Sequence, residues 1–447
     1  MITNRIEIKR RERDAVLQSL QAGLVPRTGL HLIQVGRKDE VAAILADLDR
    51  VEQGGAAFRT VVGRFGSGKS FFLNLVRALA LQKRLVVVQA DISMERRIQA
   101  SGGQARALFS ELMKNLAIKS KPEGGAMRNL CEGWISGIQT EVKQAGGSDE
   151  DVKRRIFENL KELQDFVGGF EFSEVLAKYY EGYLTGNDQL QSAALRWLRG
   201  EYTTKTDART DLGVRRIIDD DNFYDSLKLF AAFCVKAGYN GLLVNFDEMV
   251  VLSHRLPSSR ARQTNYEAIL TILNDCLQGA VRNLGFLLAG TDEFLEDKHR
   301  GLYSYEALRS RLAENQFAAA GARDFSGPVM RLQNLSPEDL FVLLCNVRHV
   351  HAFGDEAKYI LPDEALVAVL EKANQRLGAE FYKTPRDIVR SFVGLLNVVE
   401  QNSGRDWKSF LHDGFLSKPV KPASAEEEIS MGIAATPEDG DLQTFKL

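Results

Sequence analysis

Eight consecutive residues, Gly63-Arg64-Phe65-Gly66-Ser67-Gly68-Lys69-Ser70, restrict this chain more than any other feature of it. They match G-x-x-x-x-G-K-[ST] in full, a loop whose backbone N–H groups cradle phosphate oxygens. Lys69 is placed to reach the β- and γ-phosphates and Ser70 to hold Mg²⁺, while Gly63, Gly66, Ser67, Gly68 and Phe71 complete the candidate nucleotide contacts along the loop. Such a loop needs a strand before it and a helix after it, because the positive end of the helix completes the anion site. Both are legible: Phe58-Arg59-Thr60-Val61-Val62 reads as a strand, and Lys69 to Leu81 carries apolar residues at helical spacing. A second strand, Leu85 to Ala90, ends in Asp91. Strand, loop, helix and strand at this spacing predict a parallel βαβ unit, hence an α/β fold with a parallel-sheet P-loop core.

Two further apolar runs, Gly241 to Phe246 and Leu284 to Ala289, read as strands covered by helices on both faces. The first ends in Asp247-Glu248. An acid there orients magnesium through Ser70 or water, and Glu248 beside it is placed to polarise an attacking water. The same pair can instead cap the following segment. The second run ends in Gly290-Thr291, where a polar side chain can hold the water, or can cap a helix opening at Asp292-Glu293. Arg309 and Arg311 are candidates for presentation to a neighbouring subunit's γ-phosphate, which would make the active form a homo-oligomer. Each can also pair with Glu306 or Glu314 on a helix face. Arg386, at the start of a helix opened by Thr384-Pro385, can swing onto the nucleotide of its own subunit or lie in a surface ion pair.

The 447 residues suggest two or three domains. Residues 1–30 read as an N-terminal extension whose basic run is either a solvated helix face or a DNA or subunit contact, and 31–334 as the nucleotide-binding domain. Within it, about 100–225 form a long helical insertion. Residues 335–417 form a C-terminal helical lid with helices Pro337 to Val350, Pro362 to Leu377 and Pro385 to Gln401. From Lys418 the chain is poor in aromatics, and a disordered tail is expected, ending in a possible docking peptide, Leu442 to Leu447. A formal net charge of -2 excludes a globally basic nucleic-acid binder. Cys131, Cys234, Cys276 and Cys345 form no CxxC pair and read as buried reduced thiols. The polar start MITNRIEIKRRERD and the lack of a long apolar run lead to the expectation of a cytoplasmic protein with no membrane partner.

Taken together, these residues resemble the AAA+ ATPases, especially the origin-recognition-like branch. Gly36-Arg37 with Glu40 looks like the box beside the adenine, Gly63 to Ser70 like Walker A, Phe246-Asp247-Glu248 like Walker B, and Thr291 like sensor 1. Arg309 or Arg311 looks like the arginine finger, and Pro385-Arg386 like sensor 2. A closer likeness is to the BREX-system ATP-binding protein BrxD family. It is carried by Gln34-Val35-Gly36-Arg37, Gly102 to Arg106, Trp197 to Tyr202, Asn265-Tyr266-Glu267, Asn274 to Gly279 and Arg300 to Tyr305. That resemblance implies ATP and Mg²⁺ as cofactors, a role in anti-phage defence, and a helicase encoded nearby and DNA as partners.

Two departures bear on these expectations. The origin-recognition branch carries a winged helix for DNA after the lid, where this chain has only the short tail. The insertion holds Lys153-Arg154-Arg155 and Arg215-Arg216 but also Asp219-Asp220-Asp221, so it is no obvious DNA surface. The leading expectation is an ATP-driven loader or regulator of a helicase. A signalling ATPase of the STAND type that senses phage, and a nucleotide-binding scaffold without turnover, stand as alternatives.

Overall fold

Five strands, most of whose residues are apolar, set the centre of the molecule. The computed structural model describes residues 8–313, 315, 324–375 and 384–411. Readings that fall elsewhere, including the tail from Lys418, the terminal peptide and Glu314, lie outside the described residues. Among those described, β1 (Ala56–Val62), β2 (Val86–Asp91), β3 (Leu242–Asp247), β4 (Leu284–Gly290) and β5 (Val329–Arg331) form one all-parallel sheet in the order β2-β3-β4-β1-β5. β1 and β4 pair from Ala56↔Leu284 to Val62↔Gly290, and β2 and β3 from Val86↔Leu242 to Asp91↔Asp247. The fifth strand was not apparent in the sequence. It is three residues long and pairs only with β1, too short to leave a pattern.

Side chains alternate between two buried faces, so the runs need no polar residues. On one face Ala57, Val61, Leu243 and Leu287 pack on α3 (Lys38–Glu52) and α4 (Lys69–Gln82), through Leu48, Phe72 and Val76. On the other, Phe58, Val88, Phe246 and Phe286 pack into the long insertion. The insertion's helices run from α5 (Gln104–Lys114) through α6 (Met127–Gln144), α7 (Asp149–Leu163), α8 (Gly169–Thr185), α9 (Asp188–Leu198) and α10 (Lys205–Leu212) to α11 (Phe223–Lys236). Its aromatic centre meets edge to face: Trp134 with Phe233 at 5.6 Å between ring centroids, Phe172 with Phe230 at 5.9 Å. This centre is continuous with the sheet's own core.

The acidic run Asp219-Asp220-Asp221 has a structural use. Asp220 is buried and accepts the N–H groups of Gly103 at 2.7 Å and Arg106 at 2.9 Å, capping the start of α5. Arg106 in turn donates to Gly200 O at 3.1 Å, so the Gly102–Arg106 and Trp197–Tyr202 stretches are docked on each other. Asn265, in α12 (Ser259–Gln278), grips both backbone groups of Gln99 at 2.9–3.0 Å.

After β4 come the short helices α13 (Asp292–Glu296) and α14 (Glu306–Arg311). The lid helices are α15 (Pro337–His351), α16 (Asp363–Gln375) and α17 (Pro385–Gln401). The N-terminal helix α1 (Arg10–Gln21) shares their core: Val16 and Leu17 pack with Leu344, Val347, Phe392 and Leu396. Its basic face is accordingly split. Arg10 stays exposed, whereas Arg13 donates to His351 O at 2.9 Å and lies 4.8 Å over the Phe353 ring.

Asp220→Ala should cost about 1–3 kcal/mol of unfolding free energy, the range for buried N–H donors, here those of Gly103 and Arg106, left without their acceptor. Asp221→Ala next to it, on an exposed side chain, should stay within about 0.5 kcal/mol. Chemical denaturation of the two variants checks the pair.

Candidate nucleotide site

The loop between β1 and α4 takes a conformation that its glycines permit. Gly66 and Gly68 have φ of 77° and 94°, the left-handed region. A Cβ on Gly66 would lie 2.8 Å from Cβ of Thr384, so the lid sits directly on the loop. Lys69 Nζ donates to Gly63 O at 2.7 Å and Arg64 O at 2.9 Å, folding back over the cradle. Desolvation by burial lowers the Lys69 pKa, Asp247, Glu248 and Asp292 pull it up, and Arg386 adds to the lowering. Ser67 Oγ is buried without a partner in the loop.

Arg37 ties the chain before α3 to this loop. Its Nη2 donates to Ser67 O at 3.1 Å, and its other nitrogen lies 3.4 Å from the buried Glu40. Arg37 itself has φ of 62°, a non-glycine residue in the left-handed region, held there by these contacts. At the neighbouring Gly36 a Cβ would sit 3.0 Å from Oδ2 of Asp339 in the first turn of α15. Phe71 packs on the lid core. Gly36, Arg37 and Phe71 therefore gather where the lid meets the loop.

Two residues 177 positions apart meet below the loop: Ser70 Oγ donates to Asp247 Oδ2 at 2.7 Å. Parallel β3 ends at Asp247 on the same edge of the sheet at which β1 delivers the loop, so this contact follows from strand direction. Glu248 has φ of 57° and donates its N–H to Asp247 Oδ1 at 2.8 Å. The left-handed kink ends the strand and leads into a one-turn π-helix, Val251–Arg255. Strain of this kind, of order 1–3 kcal/mol, gathers at functional sites. Desolvation first, then the charges of Asp247 and Asp91, raise the Glu248 pKa, while Lys69 and Arg255 oppose them. Asp91 was not singled out from the sequence. It lies opposite Asp247 in the register, and desolvation followed by the Asp247 charge raises its pKa too. Its signal was a second parallel strand ending in an acid.

Thr291 follows Gly290, whose register partner is Val62 at the mouth of the loop, and β4 lies between the loop strand and the Asp247 strand. Its Oγ1 accepts the N–H of Phe294 at 3.4 Å, so it caps α13 from that position. Arg386 lies with its guanidinium carbon 4.8 Å over the Phe65 ring of the loop. Arg309 and Arg311 stand apart on α14. Arg309 is half-exposed with a 3.7 Å ion pair to Glu306, whereas Arg311 donates to Asn274 Oδ1 at 2.6 Å and Ala307 O at 3.0 Å.

These residues suit a magnesium nucleotide. A hydroxyl and a carboxylate already adjacent offer hard oxygen ligands, and the loop holds the Lys69 amine over its own backbone. A family model described as BREX system ATP-binding protein BrxC/D matches residues 8–414. Among curated proteins none matches the chain.

Both carboxyl groups with raised pKa stabilise the fold below their unfolded values of 4.5 for Glu248 and 3.8 for Asp91. That stability is lost as pH rises through the higher folded values. Glu248→Gln with Asp91→Asn should therefore melt above wild type near about pH 7, with the gap closing toward about pH 4. Thermal unfolding of the nucleotide-free protein across this range is the measurement, and a gap that widens toward acid contradicts the sign.

Proposed function

The chain belongs to the BREX system ATP-binding protein BrxC/D family, and from that premise we propose that it hydrolyses ATP in the cleft between Lys69, Ser70, Asp247 and Glu248, in the service of anti-phage defence. The observation that carries the proposal is the 2.7 Å hydrogen bond from Ser70 to Asp247. It supports a metal site assembled from both halves of the nucleotide motif. When bound, Mg²⁺ neutralises charge shared by the β- and γ-phosphates. Ser70 and Asp247 hold it, and the backbone of Gly66, Ser67 and Gly68 together with Lys69 binds the phosphates.

Glu248 accepts a hydrogen bond from the attacking water and then its proton; the water oxygen bonds to the γ-phosphorus as the bond from that phosphorus to the β,γ-bridging oxygen breaks, and ADP leaves. A carboxyl with a raised pKa is a better proton acceptor, which fits this role. Thr291, at the end of the strand between loop and acid, holds the same water from the side. Arg386 answers the γ-phosphate within its own subunit. Arg309, whose guanidinium has only a long ion pair among the described residues, is the arginine presented to a neighbouring subunit in a homo-oligomer. Arg311 is already spent on Asn274 and Ala307.

Hydrolysis would then drive a change in a partner, with a helicase on DNA the first candidate. The insertion's cluster Lys153-Arg154-Arg155 favours a protein partner over DNA at that surface. Arg154 pairs with Asp151, and Arg155 lies 3.7 Å from Glu141 and 3.5 Å from Glu158, so little positive field remains there. No helix among the described residues is long and apolar enough to cross a membrane.

The first test is the ATPase rate of wild type, Lys69→Ala and Glu248→Gln, alone and with single- or double-stranded DNA. Lys69→Ala should lose ATP binding, and Glu248→Gln should bind ATP yet turn it over at background. Wild-type turnover no greater than that of Glu248→Gln, with DNA and helicase present, would establish a scaffold instead. In the assembled state Arg309→Ala should lower turnover on the order of 10³-fold, as trans arginines do. Arg311→Ala should leave most of it, and the reverse result reassigns the finger.

A further inference from the structure

Among the described residues Phe65 belongs to no hydrophobic core. It sits in the phosphate loop with 55% of its surface exposed, at a position the nucleotide motif leaves open. What covers one side of it is a cation: the Arg386 guanidinium carbon lies 4.8 Å from the ring centroid. The stem of Arg386 is confined on another side by the end of the N-terminal segment, since a Cβ on Gly23 would lie 3.7 Å from its Cδ. One residue along, Gly66 abuts Thr384, the residue that caps α17 through the Asp387 N–H at 3.3 Å. Loop and lid thus meet as two adjacent pairs, Phe65 with Arg386 and Gly66 with Thr384.

We infer that Phe65 is a positioning residue, whose ring face holds the Arg386 guanidinium at the mouth of the phosphate loop before nucleotide arrives. This rests on the assignment of Arg386 to the γ-phosphate made above, and adds the device that keeps it there. A long arginine side chain at a helix start samples many rotamers, and ordering it on binding costs entropy. A planar cation stacked on a ring is already ordered and stays near the loop. Arg386 is close enough to Lys69 to contribute to its lowered pKa, after desolvation. The guanidinium is therefore stationed within electrostatic reach of the phosphate-binding lysine. Because the benefit falls on the γ-phosphate alone, the ring should matter for ATP and not for ADP.

The test measures ATP and ADP affinities by calorimetry in the full chain, in the Glu248→Gln background so that ATP persists. Phe65→Leu keeps apolar bulk and removes the ring face; it should cut the preference for ATP over ADP about two- to five-fold, the size of an exposed cation–π contact. Phe65→Trp should restore or raise the preference. In an Arg386→Ala background Phe65→Leu should change nothing further, because the two residues act as one unit. Melting temperature reports on folding of each variant, and Phe65, exposed in a loop, should leave it unchanged. If Arg386→Ala lowers the ATP preference but Phe65→Leu does not, or Phe65→Leu still acts without Arg386, this inference is overturned and the role of Arg386 survives. If Arg386→Ala leaves the preference unmoved, the role of Arg386 fails and this inference fails with it.

Discussion

The Ser70–Asp247 hydrogen bond is the contact on which the rest of the site depends. It requires α4 to begin directly above the end of β3, although 177 residues separate the two side chains. Parallel strands supply that relation: every strand of the sheet ends on the same edge, so each can deliver a polar residue to one cleft. β1 brings the loop, β3 brings Asp247 and Glu248, β4 brings Thr291, and β2 brings Asp91. An antiparallel pairing of any of these would send its terminal residue to the far side of the molecule.

Around this cleft, stability is given up where chemistry needs it. Glu248 and Arg37 both hold a left-handed backbone that costs a side-chain-bearing residue free energy. Lys69, partly desolvated, feels Asp247 and Glu248, and Asp247 in turn acts on Glu248 and on Asp91. The buried sheet and the aromatic centre of the insertion offset these costs. The insertion is therefore no appendage: its core runs on from the sheet face that holds Phe246 and Phe286. Its docking contacts, Asp220 under Gly103 and Arg106 and Asn265 against Gln99, occupy stretches that carry the family likeness without touching the nucleotide site.

The lid is bound to the site from two directions. Thr384 and Arg386 press on the loop from above. The N-terminal helix, held in the lid core by Val16 and Leu17 and pinned by Arg13, runs on through the short helix Leu30–Ile33 to Gly36, which leaves no room for a side chain beside Asp339, and Arg37, which donates to the Ser67 carbonyl. Any movement of the lid is therefore felt at the phosphate loop both directly and through this segment.

Short-range patterns announced the loop, the helix after it, four of the strands and the acid pair Asp247-Glu248, because each is written in consecutive residues: glycines where the backbone must turn, apolar runs where both faces are covered, and a charge where the strand leaves the core. Those features alone specify a nucleotide-binding α/β core. The fifth strand escaped because three residues carry no period. The membership of α1 in the lid escaped because amphipathic spacing shows that a face is buried but not against what. Asp91 and Phe65 escaped for a related reason. An acid or a ring in sequence is one residue among many, and it acquires a role only when strand register sets Asp91 opposite Asp247 and lid packing brings Arg386 onto Phe65. The sequence by itself determined the phosphate-loop motif and the strand that ends in Asp247-Glu248. Only the tertiary structure decided which distant charges lie close enough for Coulomb attraction and repulsion, which fall off with distance, to act between them.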